Sequence, residues 1–93
     1  MEVHKILHKP GKFYISTPHG EAVLLYKRAG KGKINIYHTF VPDEERGKGI
    51  AERLAAAAFG YAREKKLKVI PGCSYISYFV EKHKELMGMI VFR

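Results

Sequence analysis

The hydrophobic pattern of this chain changes period at Pro42, and that change constrains its fold more than any other feature. Before Pro42, apolar and polar residues alternate in short runs, the pattern of half-buried strands. The runs "EVHKILHK" and "KFYIST" flank a Pro-Gly turn signal, His19-Gly20 marks a second turn, and "EAVLLYKR" reads as a more buried strand. After the hairpin loop "AGKGK", the run "KINIYHTFV" sets Ile34, Ile36, His38 and Phe40 against Asn35, Tyr37, Thr39 and Val41. Residues 1–41 therefore predict an antiparallel meander with short loops. From Gly47 to about Lys66 the spacing turns helical, with Ile50, Leu54, Ala57, Ala58 and Tyr61 on one stripe. The alanines at 55–58 favour helix and keep its packing face shallow.

The rest of the chain continues the alternation of elements. "LKVIP" is a short buried strand, and Ser74 starts a second, shorter helix within "GCSYISYFVEKHKEL". "MIVF" is expected to add a last edge strand. The order is β-β-β-β-α-β-α-β, an α/β fold in one domain spanning 1–93.

Composition narrows the function classes. Hydrophobic residues are 46% and charged residues 28%, a globular balance. No apolar run approaches the roughly 20 residues of a membrane span, and the N-terminus lacks a signal-peptide pattern, so no membrane partner is expected. A lone cysteine, Cys73, cannot form an internal disulfide, which predicts a reducing, cytoplasmic setting. The net charge of +8 raises nucleic acid as a partner. There is no paired Cys/His pattern, basic zipper or aromatic RNA-binding signature, so no specific nucleic-acid binding is expected. The five histidines show no metal-ligand spacing, and no metal site is predicted.

Between strand and helix lies "VPDEERGKGIA". A strand that feeds a loop and then a helix N-terminus aims several unpaired backbone amides in one direction. The helix dipole adds positive potential there, and glycines let the backbone approach a ligand closely. Arg46 and Lys48 add charge. The combination predicts an anion site suited to phosphate or pyrophosphate. A plain glycine turn with solvated cations is the competing reading of the same residues.

Arg46-x-x-Gly49-x-Ala51 resembles the Arg/Gln-x-x-Gly-x-Gly/Ala signature of the GNAT superfamily of N-acetyltransferases, with Val41-Pro42 at the strand end and Ile50 opening a long helix. The stretch "KVIPGCSYISYFVEKH" is similar to a subgroup of very small members, the YjdJ type, with Cys-Ser-Tyr after the next strand. The resemblance covers roughly residues 34–84. It implies a mixed, mostly antiparallel central sheet, a signature helix and a short C-terminal helix. It also implies acetyl-CoA as cofactor: Arg46, Gly47, Lys48, Gly49, Ile50 and Ala51 at the pyrophosphate, and Thr39 and Val41 along the pantetheine arm. The thioester is then expected between residues 39–41 and 69–73, where two strands splay apart.

Two departures qualify the resemblance. Longer members place two acceptor-side helices after their first strand, whereas "KPGKFYISTPHGEAVLLY" offers strands and turns. The acceptor side is therefore expected to be open, or completed by a second subunit in a homodimer. Many members also carry an Asn after the second splayed strand and, seven residues later, a Tyr that protonates the departing thiolate. Those positions here are Cys73 and Val80.

The candidate catalytic residues are Cys73, His38 and Tyr78. Cys73 reads as a nucleophile or acid–base thiol at a helix start, or as a small buried hydrophobe. His38 reads as a base for an incoming amine, or as a hydrogen-bonded strand histidine. Tyr75 and Tyr78 read as proton donors to the thiolate, or as aromatic packing. His4, His8, His19 and His83 carry no signal, and Glu44 and Glu45 read as a solvated loop or as a first-turn complement to the helix dipole. The function expected is acetyl transfer from acetyl-CoA to an unidentified amine. The alternative is an acyl-CoA-binding or regulatory module without turnover.

Overall fold

The computed structural model describes residues 5–92. The order of elements is β1 (Leu7–Lys9), β2 (Lys12–Thr17), β3 (Gly20–Arg28), β4 (Lys33–Phe40), α1 (Ile50–Glu64), β5 (Lys68–Pro71) and α2 (Ser74–Lys82). Short 3-10 turns occupy Asp43–Glu45 and Lys84–Met89. The five strands lie in sequence order in one sheet, antiparallel except for β4 and β5, which are parallel across the α1 crossover. The fold is therefore the expected α/β class, with a mostly antiparallel sheet and no helix between Leu7 and Phe40. Residues 2–4 of the first expected strand lie outside the described residues. No helix among the described residues is long and apolar enough to cross a membrane.

One face of the sheet holds the core. Phe13 and Ile15 of β2, Ala22, Leu24 and Tyr26 of β3, Ile34 and Ile36 of β4, and Val69 of β5 are all buried. Helix α1 covers them with Ile50, Leu54, Ala55, Ala58, Phe59 and Ala62. The expected stripe is corrected here: Ala57 and Tyr61 are half-buried at its margin, while Ala55, Phe59 and Ala62 complete its centre. A sheet is broad, so the helix buries a wider arc than a single line of residues. The three small alanines let its backbone approach the strands. Phe59 then stacks on Phe79, ring centroids 5.9 Å apart, which joins α2 to the same core.

Three boundaries differ from expectation. Residues 47–49 form a turn, and α1 begins at Ile50. Helix α2 ends at Lys82, and a 3-10 turn takes residues through Met89. The expected last strand is thereby reduced to a single parallel bridge of Ile90 with Val69, plus the Val91 amide donating to the Val69 carbonyl.

Strand β4 carries the largest correction. Leu25 pairs with His38 but Tyr26 pairs with Ile36, so Tyr37 is an extra residue, a bulge. A bulge inverts the alternation of faces beyond it. Ile34 and Ile36 are buried as expected, but His38 and Phe40 are exposed and Val41 is buried instead.

Candidate functional site

The bulge turns Thr39 and Val41 toward the helix side of the sheet, next to the start of α1. Pro42 leads into the 3-10 turn, and the chain reaches α1 through residues 46–49. Gly47 and Gly49 have φ of 82° and 78°, left-handed conformations that glycine adopts without strain. A Cβ at either position would meet nothing within 4 Å, so conformation rather than packing requires glycine, and the space in front of the loop is open. Gly49 is the N-cap of α1 and has no side chain to bond the first helical amides. Those amides lack intrahelical acceptors by geometry and point out along the helix axis.

A cleft of about 390 Å³ opens at this junction. Its loop wall is Arg46, Gly47, Gly49, Ile50 and Ala51; its strand wall is Thr39 and Val41; its far wall is Tyr75 and Tyr78 of α2. Glu45 and Glu52 also line it. Arg46 donates from Nε to the Val41 carbonyl at 3.3 Å, which holds its stem against the strand end. Lys48 does not line the cleft; its ammonium lies 3.1 Å from Oε1 of Glu45, which does.

Strands β4 and β5 stay paired from Lys33 and Lys68 to Ile36 and Pro71. The Gly72 amide then donates to the Ile36 carbonyl at 2.9 Å, and the two chains part. A Cβ at Gly72 would fall on the Asn35 carboxamide, so only glycine lets the chain turn this close to β4. Across the gap, Cys73 Sγ lies 3.4 Å from Thr39 Oγ1. Cys73 is half-buried and is the N-cap of α2.

The structure thus brings together Thr39, Val41, Arg46, Gly47, Gly49, Ile50, Ala51 and Tyr78, with Cys73 bordering the group through Thr39. Lys48 and His38 do not line the cleft; His38 is exposed and paired with Leu25 on the opposite face of the sheet. Tyr75 adds to the far wall, 6.0 Å from the Tyr78 ring. Burial, reinforced by the charge of Glu52 and by Tyr78, pushes the Tyr75 hydroxyl above its ordinary range, so it keeps its proton.

Glu45 is the residue that sequence reasoning missed. It reads as a solvated loop acid, yet it is only 2% exposed. His19 Nδ1 lies 2.8 Å from Oε2, and Lys48 Nζ lies 3.1 Å from Oε1. The hydrogen bonds from His19 and then Lys48 hold its carboxyl below the usual carboxylate range. The only sequence hint was its three-residue spacing from Lys48.

The chain matches the sequence model of a family described as GCN5-related N-acetyl-transferase over residues 12–89. It is similar to Protein NATD1 of Xenopus tropicalis and of Homo sapiens, 45% identical over 65 residues in each case, or 70% of this chain. To Protein NATD1 of Danio rerio it is 43% identical over 69 residues, or 74% of this chain. The matched segment spans 60%, 58% and 63% of those relatives' lengths. Among solved structures, it is similar to a GCN5-like protein of Staphylococcus aureus determined by NMR, with a TM-score of 0.77 and 32% identity. That match covers 94% of this chain and 87% of the other.

Proposed function

This chain belongs to the GCN5-related N-acetyltransferase family, and on that premise we propose that it binds acetyl-CoA at the junction of β4 and α1 and transfers the acetyl group to an amine. One observation carries the reading. The loop at residues 46–49 combines two left-handed glycines, open space before them and uncapped amides at the start of α1. A diphosphate is a natural guest of such a terminus. Arg46, Gly47, Gly49, Ile50 and Ala51 hold it in this reading, with Lys48 adding charge from outside the cleft. Thr39 and Val41 flank the pantetheine arm.

Bound acetyl-CoA supplies an activated acyl thioester. The chain's own groups orient it and manage charge and protons. Beyond Ile36 the edge of β4 is no longer paired with β5, so its backbone faces the gap and offers amides to a developing oxyanion. Tyr78 lines the cleft and serves as proton donor to the departing thiolate, with the protonated Tyr75 hydroxyl beside it. His38, expected as the base, lies on the face of the sheet opposite the cleft and out of reach of the amine, so the amine's proton passes to solvent at the open acceptor side. Cys73 either walls the pocket beside Thr39 or carries the acyl group transiently. Its place in Cys73-Ser74-Tyr75 at the start of α2 is also what supports kinship with the small YjdJ-type members. The bare acceptor side supports an open pocket, or one completed by a second subunit. The lone cysteine supports a reducing, cytoplasmic setting.

A second reading has its own support. Val80 stands where the resembled enzymes carry their proton-donating Tyr, and it is buried. That favours a module that binds acyl-CoA without turnover. Calorimetric titration with coenzyme A tests the first step. Wild type should bind and its melting temperature should rise with ligand. Gly49→Asp should lose binding, because its carboxylate occupies the helix amides and repels phosphate. Equal affinity in both proteins would overturn the site. Binding without release of coenzyme A from acetyl-CoA, across a mixed panel of amines, would favour the module.

A further inference from the structure

Among the described residues, Glu45 is the one buried charged side chain. It lines the cleft assigned to a diphosphate. A negative charge beside an anion site opposes its own ligand. Such a group needs a physical reason to be there, and its contacts supply one.

The loop that meets the ligand is held at its ends, by Arg46 to the Val41 and Asp43 carbonyls and by the Arg53 amide to the Gly49 carbonyl, and its middle is left to Lys48. Gly47 and Gly49 are backbone at its freest, and the space where a side chain would stand at either is empty to 4 Å. Lys48 stands between them, and its ammonium is tied to Glu45. The other oxygen of Glu45 is tied to His19. The Glu45 amide donates to the Pro42 carbonyl at 2.9 Å, so the carboxylate is anchored at its own root. The turn that bears His19 is itself fixed. The His19 amide donates to Thr17 Oγ1 at 3.1 Å, and that hydroxyl donates to the Gly20 carbonyl at 2.6 Å. One carboxylate thus joins the β2–β3 turn, the 3-10 turn and the glycine loop.

We infer that Glu45 is a positioning residue: clamped between His19 and Lys48, it holds the glycine loop in the shape that accepts the coenzyme A diphosphate. The inference rests on the function proposed above. The Lys48 ammonium offsets the charge of Glu45 and His19 holds its other oxygen, and the order imposed on the loop outweighs what repulsion remains. Asp43 and Glu44 are exposed, Asp43 lies 3.4 Å from Arg46, and Glu52 lies on the cleft wall, so none of them shares the clamp.

The clamp and simple electrostatics predict opposite signs. Removing a negative charge beside an anion tightens binding if charge alone matters. Removing the clamp weakens it. In calorimetric titrations of the full chain with coenzyme A, Glu45→Gln should bind about tenfold more weakly than wild type. His19→Ala, at a half-exposed turn residue, should keep the fold and lose affinity in the same direction. The double variant should be within about twofold of Glu45→Gln, because both changes act on one clamp. In turnover assays the loss should fall on KM for acetyl-CoA, with kcat within about twofold of wild type. Unchanged or tighter binding by Glu45→Gln overturns the inference, as do additive losses.

A ligand-free arm separates this from the function itself. Amide hydrogen exchange at residues 46–50 should be about tenfold faster in both single variants, since the loop opens locally. If wild type binds no coenzyme A, the proposed function fails. The clamp is then decided by exchange, and unchanged rates in both variants overturn it.

Discussion

Cys73 lies with its sulfur 3.4 Å from the Thr39 hydroxyl, across the gap between β4 and β5, and two chemistries make different demands on that one atom. In direct transfer the thiol is a wall or a proton relay. Cys73→Ala should then keep turnover within about tenfold, and no acyl-protein should accumulate. In a carrier route the sulfur bonds the acetyl group, and Cys73→Ala should remove nearly all turnover. Intact-protein mass spectra after mixing with acetyl-CoA, without acceptor, distinguish the two. We expect no acetyl adduct, since a ternary complex needs no new nucleophile; an adduct lost on adding an amine would replace direct transfer with the carrier route. Glu45 gives a separate prediction at this scale. Its carboxyl is held below its ordinary value of 4.5 in the folded state. A depressed carboxyl contributes stability that is fully present above the unfolded value and lost as pH falls through the folded one. The melting temperature of wild type should therefore exceed that of Glu45→Gln at pH 7. The gap should begin to close below about pH 4.5 and continue closing as the solution becomes more acidic. A gap that widens in acid would contradict the assigned hydrogen bonds. Neither Glu45 nor His19 was legible as a partner in the sequence. They are 26 positions apart, and only the fold sets the β2–β3 turn against the 3-10 turn.

At the scale of elements, the first five strands and both helices were legible because most runs keep one hydrophobic period, which is what one-sided burial imposes, whereas the last expected strand is a 3-10 turn and a single bridge. The loop at 46–49 was legible as a left-handed glycine turn into a helix because glycine spacing and a following helix state its backbone requirement directly. The face of His38 was not. The bulge at Tyr37 inserts one residue into β4, and no residue type announces it. The junction of β5 and α2 was legible only in part: Pro71-Gly72 reads as a break, but not as a point of contact with Asn35. That contact makes a prediction. Gly72→Ala puts a methyl group on the Asn35 carboxamide and 3.0 Å from the Ile36 carbonyl. It should cost about 1–3 kcal/mol, as overpacking does. Asn35 Oδ1 has no hydrogen-bond partner, so trimming this side chain forfeits no bond at that atom. Asn35→Ala should consequently recover part of the loss in the double variant. Urea unfolding of the four proteins measures this coupling. Strict additivity would mean that the strain lies in the backbone and not between these two side chains.

Across the molecule, the sheet has one face under α1 and α2 and another with no helix over it among the described residues, and part of the basic charge lies on that second face. Lys9 and Lys12 lie 5.6 and 4.8 Å from the centre of the Tyr14 ring, and Lys27 lies 5.1 Å from that of Tyr37. An open sheet carrying tyrosines and lysines resembles a platform for single-stranded nucleic acid, where bases stack on aromatic faces. Here those faces already hold ammonium groups, an arrangement worth about 0.5–1 kcal/mol each at exposed sites. A base would have to displace the lysine that would otherwise bind its phosphate. Stacking and charge therefore compete for the same rings instead of adding. What remains is counterion release, which is indifferent to sequence. Gel-shift titrations with unrelated DNA and RNA oligomers should give the same weak affinity for each, about 10⁻⁴–10⁻⁶ M at physiological salt. That affinity should fall steeply as salt is raised. Replacing Tyr14 and Tyr37 by leucine should leave it within about twofold, because the rings contribute no stacking. Tight binding to one sequence at physiological salt, or a large loss on removing the two rings, would make this face a nucleic-acid site and would move the basic charge from solubility to function.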